Sequence, residues 1–225
     1  MISAIVVAGG RGERISASLP KQFLEVRGKP ILVSCVDRIW ACNRISEMIV
    51  AVPAEHQERA ERIFSGKEVK IVVGGAERQD SVYAGLLASS HSAELILIHD
   101  GVRPFPTREL IERVISAAEQ TGAAVPGLPI KETIKEIDPK QKRILGTVDR
   151  SRLYAIQTPQ VFRRELILDA HQRAQNLGFY TTDDAGLMEW AGSEVFMVPG
   201  EDSNIKITTP LDLKLAELIA EELGA

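Results

Sequence analysis

In this 225-residue chain an apolar run gives way to a glycine-rich turn, AIVVAGGRGERISASLPKQF over residues 4–23, and three cations follow it: Arg11, Arg14 and Lys21. Glycines let backbone N–H groups approach an anion closely. Cations spaced around such a turn neutralise several charges at once, which suits a triphosphate better than a single phosphate. The stretch is not a Walker A loop, because no Gly-Lys-Ser/Thr occurs. It is not a dinucleotide fingerprint either, because the third position after Gly12 is Ile15. Taken alone it favours an ordinary strand-to-helix turn with solvated cations. Pro20 fixes the backbone just before Lys21 and could aim that lysine back toward the turn.

Two further polar clusters reverse that reading. Residues 74–81 and residues 100–103 each follow a strand-like run, as the glycine turn does. The runs themselves are residues 3–7, 48–52, 69–73, 95–99 and 122–125. Helix-like stretches alternate with them at 31–41, 54–64, 81–89 and 107–120, the last with Thr107 as N-cap. Residues 95–99 are almost continuously apolar, as expected of a strand covered on both faces. The alternation predicts an α/β fold: a single Rossmann-like, doubly wound, mostly parallel sheet with helices on both faces. In such sheets ligands lie outside the carboxyl ends of the strands, where all three clusters fall. The whole chain, 1–225, reads as one domain.

Two segments depart from the alternation. Residues 130–137 and 143–148 are strand-like and flank the turn signal Asp138-Pro139-Lys140-Gln141. They predict a protruding β-hairpin arm over residues 130–150. An isolated hairpin is marginal in water, so this one needs a docking surface, for which a second subunit is one candidate. Near the end, Thr209-Pro210-Leu211-Asp212 supplies an N-cap, a proline at the first helical position and an acid at the third. Leu211, Leu215, Leu218 and Ile219 then mark a helical face.

Composition narrows the function classes. A formal net charge of −4 and a pI near 5.7 argue against a general nucleic-acid binder. The longest apolar runs fall far short of a membrane span, and no signal-peptide pattern opens the chain. Cys35 and Cys42 match no zinc or redox spacing and read as buried thiols, so the expected location is cytoplasmic. No histidine pair has metal-ligand spacing. His56, His91 and His171 read as exposed, His99 as a support for Asp100, and Trp40 and Trp190 as packing residues.

A-G-G-x-G-x-R followed by P-K-Q is the signature of nucleotidyltransferases that activate sugars or alditol phosphates. The chain also carries G-G-A-E-R-Q-D-S-V at 74–82, H-D-G-V-R-P at 99–104 and K-E-T-I-K at 131–135. T-V-D-R at 147–150, Q-T-P-Q at 157–160, T-D-D-A at 182–185 and N-I-K-I-T-T-P-L-D-L at 204–213 follow. In this order and over nearly the whole length, the set resembles the 2-C-methyl-D-erythritol 4-phosphate cytidylyltransferases of non-mevalonate isoprenoid biosynthesis. The resemblance implies transfer of CMP from CTP to the phosphate of a polyol phosphate, with pyrophosphate released.

It also implies roles for individual residues. Arg14 and Lys21 match the pair that stabilises the transition state. Ala8, Gly9, Gly10 and Gly12 match the backbone that wraps the nucleotide, and Gly75, Ser81 and Gly101 match further nucleotide contacts. Arg150 and Lys206 match residues that position the substrate phosphate. Asp100, Arg103, Thr133 and Thr182 match contacts to the second substrate. Arg103 equally suits a salt bridge that shapes its own loop. Asp183 and Asp184 suit helix capping as well as a substrate loop. Mg2+, or another divalent cation, is expected on the triphosphate, with Asp100 as its nearest carboxylate, directly or through water. In the family the arm reaches into a neighbouring subunit, which implies a homodimer.

The nearest rival is a ribitol-5-phosphate cytidylyltransferase, against which T-V-D-R-S-R-L-Y at 147–154 weighs. A sugar-1-phosphate nucleotidyltransferase is disfavoured by the Lys206 motif and the arm. A non-catalytic nucleotide-binding regulatory module would be expected to have lost Arg14, Lys21 or Lys206. Small departures from the family pattern are Ala76, Gly101-Val102 and Ser203.

Overall fold

The computed structural model describes residues 1–9 and 20–224. In chain order the strands and helices are β1 (Ile2–Val7), β2 (Glu25–Val26), β3 (Lys29–Pro30), α1 (Ile31–Trp40), β4 (Glu47–Val52) and α2 (Gln57–Ile63). Next come β5 (Lys70–Val73), α3 (Arg78–Ala88), β6 (Leu95–Asp100), α4 (Arg108–Thr121), β7 (Ala123–Pro129), β8 (Lys135–Asp138) and β9 (Arg143–Thr147). The chain continues with β10 (Tyr154–Ile156), β11 (Gln160–Arg163), α5 (Arg164–Leu177), α6 (Asp184–Trp190), β12 (Phe196–Pro199) and α7 (Pro210–Glu222).

The central sheet runs β10-β7-β11-β6-β1-β4-β5, with β12 also paired to β7. Strands β6, β1, β4 and β5 are mutually parallel. From β1 the chain winds first to β4 and β5 and then back to β6 on the other side. The order therefore reverses between β1 and β6, and a crevice opens there at the strands' carboxyl ends. The expected mostly parallel sheet is present, with two antiparallel insertions: β11 lies between β6 and β7, and β10 pairs the outer end of β7.

The period-two geometry of a strand explains the continuous apolar runs. In β1, Ile2, Ala4 and Val6 face one core while Ile5 and Val7 face the other. Strands β4 and β6 divide in the same way, with Val50 and Leu97 on one side and Ile49 and Ile98 on the other. The first core packs α1, α4 and α7, and the second packs α3, α5 and α6.

Caps set the helix ends. Thr107 accepts from the N–H of Leu110, and Gly122 closes α4 in the left-handed region at φ +89°. Thr209 and Asp212 form a capping box on α7, with Pro210 at the first helical position. A second box, Glu77 with Asp80, starts α3 at Arg78, three residues before the helix expected from sequence.

Four other expectations are corrected. The first arm strand starts at Lys135 rather than at residue 130, so Thr133 lies before it. The residues that bury α7 are Ala216, Ile219 and Ala220, whereas Leu211, Leu215 and Leu218 point outward. Residues 216, 219 and 220 form the inner stripe of this helix, and the three leucines lie off it. His171 is buried on the inner stripe of α5, next to Ala170 and Ala174. Trp40 is exposed at the end of α1. Among the described residues no helix is long and apolar enough to cross a membrane, and Cys35 and Cys42 are buried free thiols.

Candidate active site

A cavity of about 310 Å³ lies in the crevice. Val7, Ala8 and Gly9 at the exit of β1 form one wall, with Lys21 and Gln22 beside them. Gly75 to Arg78 and Ser81 at the start of α3 form the next wall. Asp100 and Val102 after β6, and Lys206 from a late loop, complete it. Seven residues singled out in the sequence thus meet at one place: Ala8, Gly9, Lys21, Gly75, Ser81, Asp100 and Lys206. Gly10, Gly12 and Arg14 lie outside the described residues.

The close approach of elements makes Gly75 necessary and leaves little room at Gly101. A Cβ at Gly75 would sit 2.3 Å from the Cβ of Asp80, and one at Gly101 would sit 2.9 Å from Leu32 Cδ1. The loop of Gly101 thus packs tightly on α1 and β1, and its N–H donates to Val7 O at 2.8 Å.

Asp100 is the electrostatic centre. Its Oδ1 accepts from Arg78 Nε at 3.0 Å, its Oδ2 lies 2.9 Å from Lys206 Nζ, and Arg103 Nε is 3.7 Å away. Burial alone would raise its pKa. The charge of Arg78, then those of Lys206 and Arg103, overrides burial and holds the carboxyl well below the usual range. Arg78 reaches onward from Asp100 to Asp184, with Nη1 2.7 Å from Oδ2. Burial opposes the charge on Arg78, but the two carboxylates outweigh it and raise its pKa. His171 Nε2 lies 3.4 Å from the other oxygen of Asp184.

The loops that carry these groups are tied to one another. The N–H of Asp100 donates to Thr158 Oγ1 at 3.0 Å. The Thr158 hydroxyl is then free to donate to His99 Nδ1, 3.1 Å away, which leaves the proton of His99 on Nε2 to donate to Arg103 O at 2.9 Å. Burial pushes the pKa of His99 down to about 4, so the ring is neutral and structural. Arg103 is largely enclosed, and its Nη1 donates to Asn204 O at 2.9 Å. Asn204 Nδ2 in turn donates to Thr158 O at 2.7 Å, and the N–H of Ile207 donates to Val102 O at 2.9 Å. These bonds bracket Lys206 on both sides.

The remaining sequence candidates are not gathered in the cavity. Arg150 is exposed, and its guanidinium donates to the carbonyl of Lys131 at the base of the arm. Thr133 is exposed on the same base, and Thr182 is exposed before α6. Asp183 caps α6 by accepting from the N–H of Gly186, while Asp184 is committed to Arg78. Sequence reasoning passed over Arg78, Gln22 and Thr158. All three lie inside or beside those motifs, but their contacts reach from 14 to 106 residues along the chain.

The described residues offer a metal little. No group of three His, Cys, Asp or Glu side chains is gathered among them. Both oxygens of Asp100 are already engaged by cations. A magnesium ion carried on a triphosphate and met by Asp100 through water is compatible with this donor set. A protein cage is not.

A profile of the 2-C-methyl-D-erythritol 4-phosphate cytidylyltransferase family matches residues 2–222. The chain is 44% identical to the enzyme of that name from Clostridium botulinum, over 97% of this chain and 99% of the relative. It is 45% identical to the one from Caldanaerobacter subterraneus, over 96% and 97%. Among solved structures it is similar to 4-diphosphocytidyl-2C-methyl-D-erythritol synthase from Anaerococcus prevotii, with a TM-score of 0.86, 33% identity and 98% of each chain covered. It is also similar to the 2-C-methyl-D-erythritol 4-phosphate cytidylyltransferase of Thermus thermophilus, with a TM-score of 0.82, 34% identity and coverage of 96% and 98%. With the strand-end cavity and its charged wall, these likenesses make the chain a member of the 2-C-methyl-D-erythritol 4-phosphate cytidylyltransferase family.

Proposed function

We propose that the chain transfers CMP from CTP to 2-C-methyl-D-erythritol 4-phosphate. The products are 4-diphosphocytidyl-2-C-methyl-D-erythritol and pyrophosphate, in isoprenoid biosynthesis. The observation that carries this reading is the meeting of Ala8, Gly9, Lys21, Gly75, Ser81, Asp100 and Lys206 around one cavity in a member of this family.

A phosphate oxygen of the polyol phosphate attacks the α-phosphorus of CTP. A new P–O bond forms as the bond from the α-phosphorus to the bridging oxygen breaks, and pyrophosphate leaves with that oxygen. Neither substrate needs a covalent bond to the protein. The protein's task is to hold two anions together and to neutralise charge as the α-phosphorus becomes five-coordinate. Lys21 and Arg14 are assigned to the α-phosphate. Lys206 and Arg150 are assigned to the substrate phosphate, with Thr133 and Thr182 as hydroxyl donors.

Asp100 has a double duty in this reading. It orients Lys206 through Oδ2 and keeps a carboxylate beside the site of the ribose and the second substrate. Gly75 and Ser81 bound the place of the cytosine and ribose, with Gly101 behind Asp100. When bound, magnesium would neutralise triphosphate oxygens and ease departure of pyrophosphate, with Asp100 reaching it through water. The arm supplies Thr133 and Arg150 to a partner in a homodimer. Its exposed Ile137, Ile144 and Leu145 support that reading. The free buried thiols support a reducing, cytoplasmic setting.

The test is pyrophosphate release with magnesium and CTP, offering either 2-C-methyl-D-erythritol 4-phosphate or ribitol 5-phosphate. Release with the first substrate alone is expected. Release with ribitol 5-phosphate alone would overturn the substrate while keeping the chemistry, and release with neither would overturn the activity.

A further inference from the structure

We infer that Gln22 is a positioning residue for Lys21: its side-chain amide is a clasp that holds the turn carrying Lys21 against the exit of β1. The inference rests on the reading of the cavity as the site of CMP transfer.

Gln22 is 1% exposed and stands in a single turn of 3-10 helix, Lys21–Phe23. Its Nε2 donates to Ala8 O at 2.8 Å. A carbonyl can only accept, so the chemistry of this contact fixes which end of the amide faces Ala8. Ala8 itself is anchored in the sheet, its N–H donating to Ala51 O at 2.8 Å. The turn is closed locally by the N–H of Phe23 on Pro20 O at 2.9 Å and by the N–H of Leu24 on Lys21 O at 3.2 Å. Phe23 is buried in the core just beyond. One hydrogen bond therefore joins two rigid points that bracket the glycine-rich stretch in sequence, and Lys21 sits one residue from the clasp.

A long lysine side chain directs its charge only as well as its backbone is held. A displacement of about 1 Å at a reacting centre can cost about a hundredfold in rate. Gln22 also lines the cavity, and its Oε1 has no hydrogen-bond partner among the described residues. Among the described residues, then, this buried amide has only its donor in use. An apolar side chain of the same size would fill the space equally well. Packing alone gives no reason for glutamine at this position, whereas the clasp requires one.

The experiment compares the wild-type chain with Gln22→Met, which keeps the length and loses the donor, and with Gln22→Glu, which keeps the shape and loses the donor. Each is also made in a Lys21→Ala background. The expected result is a kcat lowered about tenfold to a hundredfold in Gln22→Met, with KM for CTP within about twofold and a denaturation midpoint lowered by no more than the loss of one buried hydrogen bond. In the Lys21→Ala background the same change should add almost nothing, because the clasp acts through the lysine. Full additivity of the two changes, an unaltered kcat, or a raised KM at unaltered kcat would overturn the proposal. Should Gln22→Met fail to fold, Gln22→Glu should show the same fall in kcat, with the KM for CTP raised by the new carboxylate on the cavity wall.

A second readout needs no turnover: acylation of Lys21 in the CTP-free protein, followed peptide by peptide by mass spectrometry. Loss of the clasp should change the labelling rate of Lys21 several-fold and leave the other lysines alone. Equal rates would overturn the proposal. A wild-type chain inactive with both polyol phosphates would instead sink the CMP-transfer reading, and the labelling would still decide the clasp.

Discussion

The wall around Asp100 and the hairpin arm solve opposite problems. In the wall, groups far apart in sequence are buried and paired: Arg78 joins Asp100 to Asp184, and Lys206 and Arg103 close on the same carboxylate. Beyond the Lys131–Asp202 ion pair at its base, the contacts of the arm are local. Asp138 Oδ1 accepts from the N–H groups of Lys140 and Gln141, and Ile137, Ile144 and Leu145 stand more than half exposed. A wall with its charges already paired costs little reorganisation when a nucleotide arrives. An arm with bare apolar side chains is unfinished by itself. On the proposed reading, the nucleotide end of the site is assembled within one chain. Of the groups assigned to the polyol phosphate, Lys206 stands in the wall, whereas Thr133 and Arg150 wait on an element with little to hold it.

Lys21→Ala sharpens the first half of the contrast most strongly. If the wall is prepared for the transition state, turnover should fall about a thousandfold while CTP still binds. Single-turnover rates together with CTP titration check this. Near-normal turnover would break it. Arg78→Met tests whether paired charge holds the wall. Asp184 would keep only His171, and Asp100 would lose one of its three cations, so stability should drop by about 3 kcal/mol. A shift in the denaturant midpoint measures the loss. An effect below about 1 kcal/mol would show that packing, not pairing, sets the wall.

The wall should also respond to acid before the arm does. The pKa of His99 falls on folding from 6.5 to about 4. Between those values the unfolded chain takes up a proton that the folded chain refuses, so stability falls as pH falls through that window. The loss approaches about 3 kcal/mol near pH 4. Asp100, whose pKa is also lowered on folding, acts in the same sense near and below the ordinary carboxylate range, and so adds to the loss there. Denaturant unfolding at pH 7 and pH 4.5 gives the difference, and His99→Gln should flatten it. An equal slope in that variant would place the sensitivity elsewhere.

Legibility from sequence followed the range of the contacts involved. The parallel strands were legible because β1, β4 and β6 are buried on both faces and so read as unbroken apolar runs. Strands β10 and β12 were not. They are short and leave Tyr154, Ile156, Phe196 and Met197 exposed, and nothing local distinguishes them from loop. Thr107 and Thr209 were legible as caps because a cap is a contact across three residues. Arg78 and Gln22 lay in plain view inside quoted motifs, but their meaning depends on Asp184, 106 residues away, and on Ala8, 14 residues away. The His171 error was avoidable. Ile167, Ala170 and Ala174 share its helical face, and that spacing marks the inner stripe of α5.

The smallest effect bears most directly on the comparison. If the arm completes a neighbour's site, a chain with Lys21→Ala and a chain with Arg150→Ala fail at different halves of it. A mixed dimer then holds one site with both defects and one with neither. Random mixing makes about half the dimers mixed, so about a quarter of the wild-type sites should return. The assay is pyrophosphate release after the two inactive proteins are unfolded together and refolded, with native mass spectrometry to count mixed dimers. Recovery would mean that one chain's wall works with another chain's arm. No recovery in proven mixed dimers would mean that Arg150 serves the chain that carries it. The arm would then have to fold back on its own wall, and its exposed isoleucines would need another explanation.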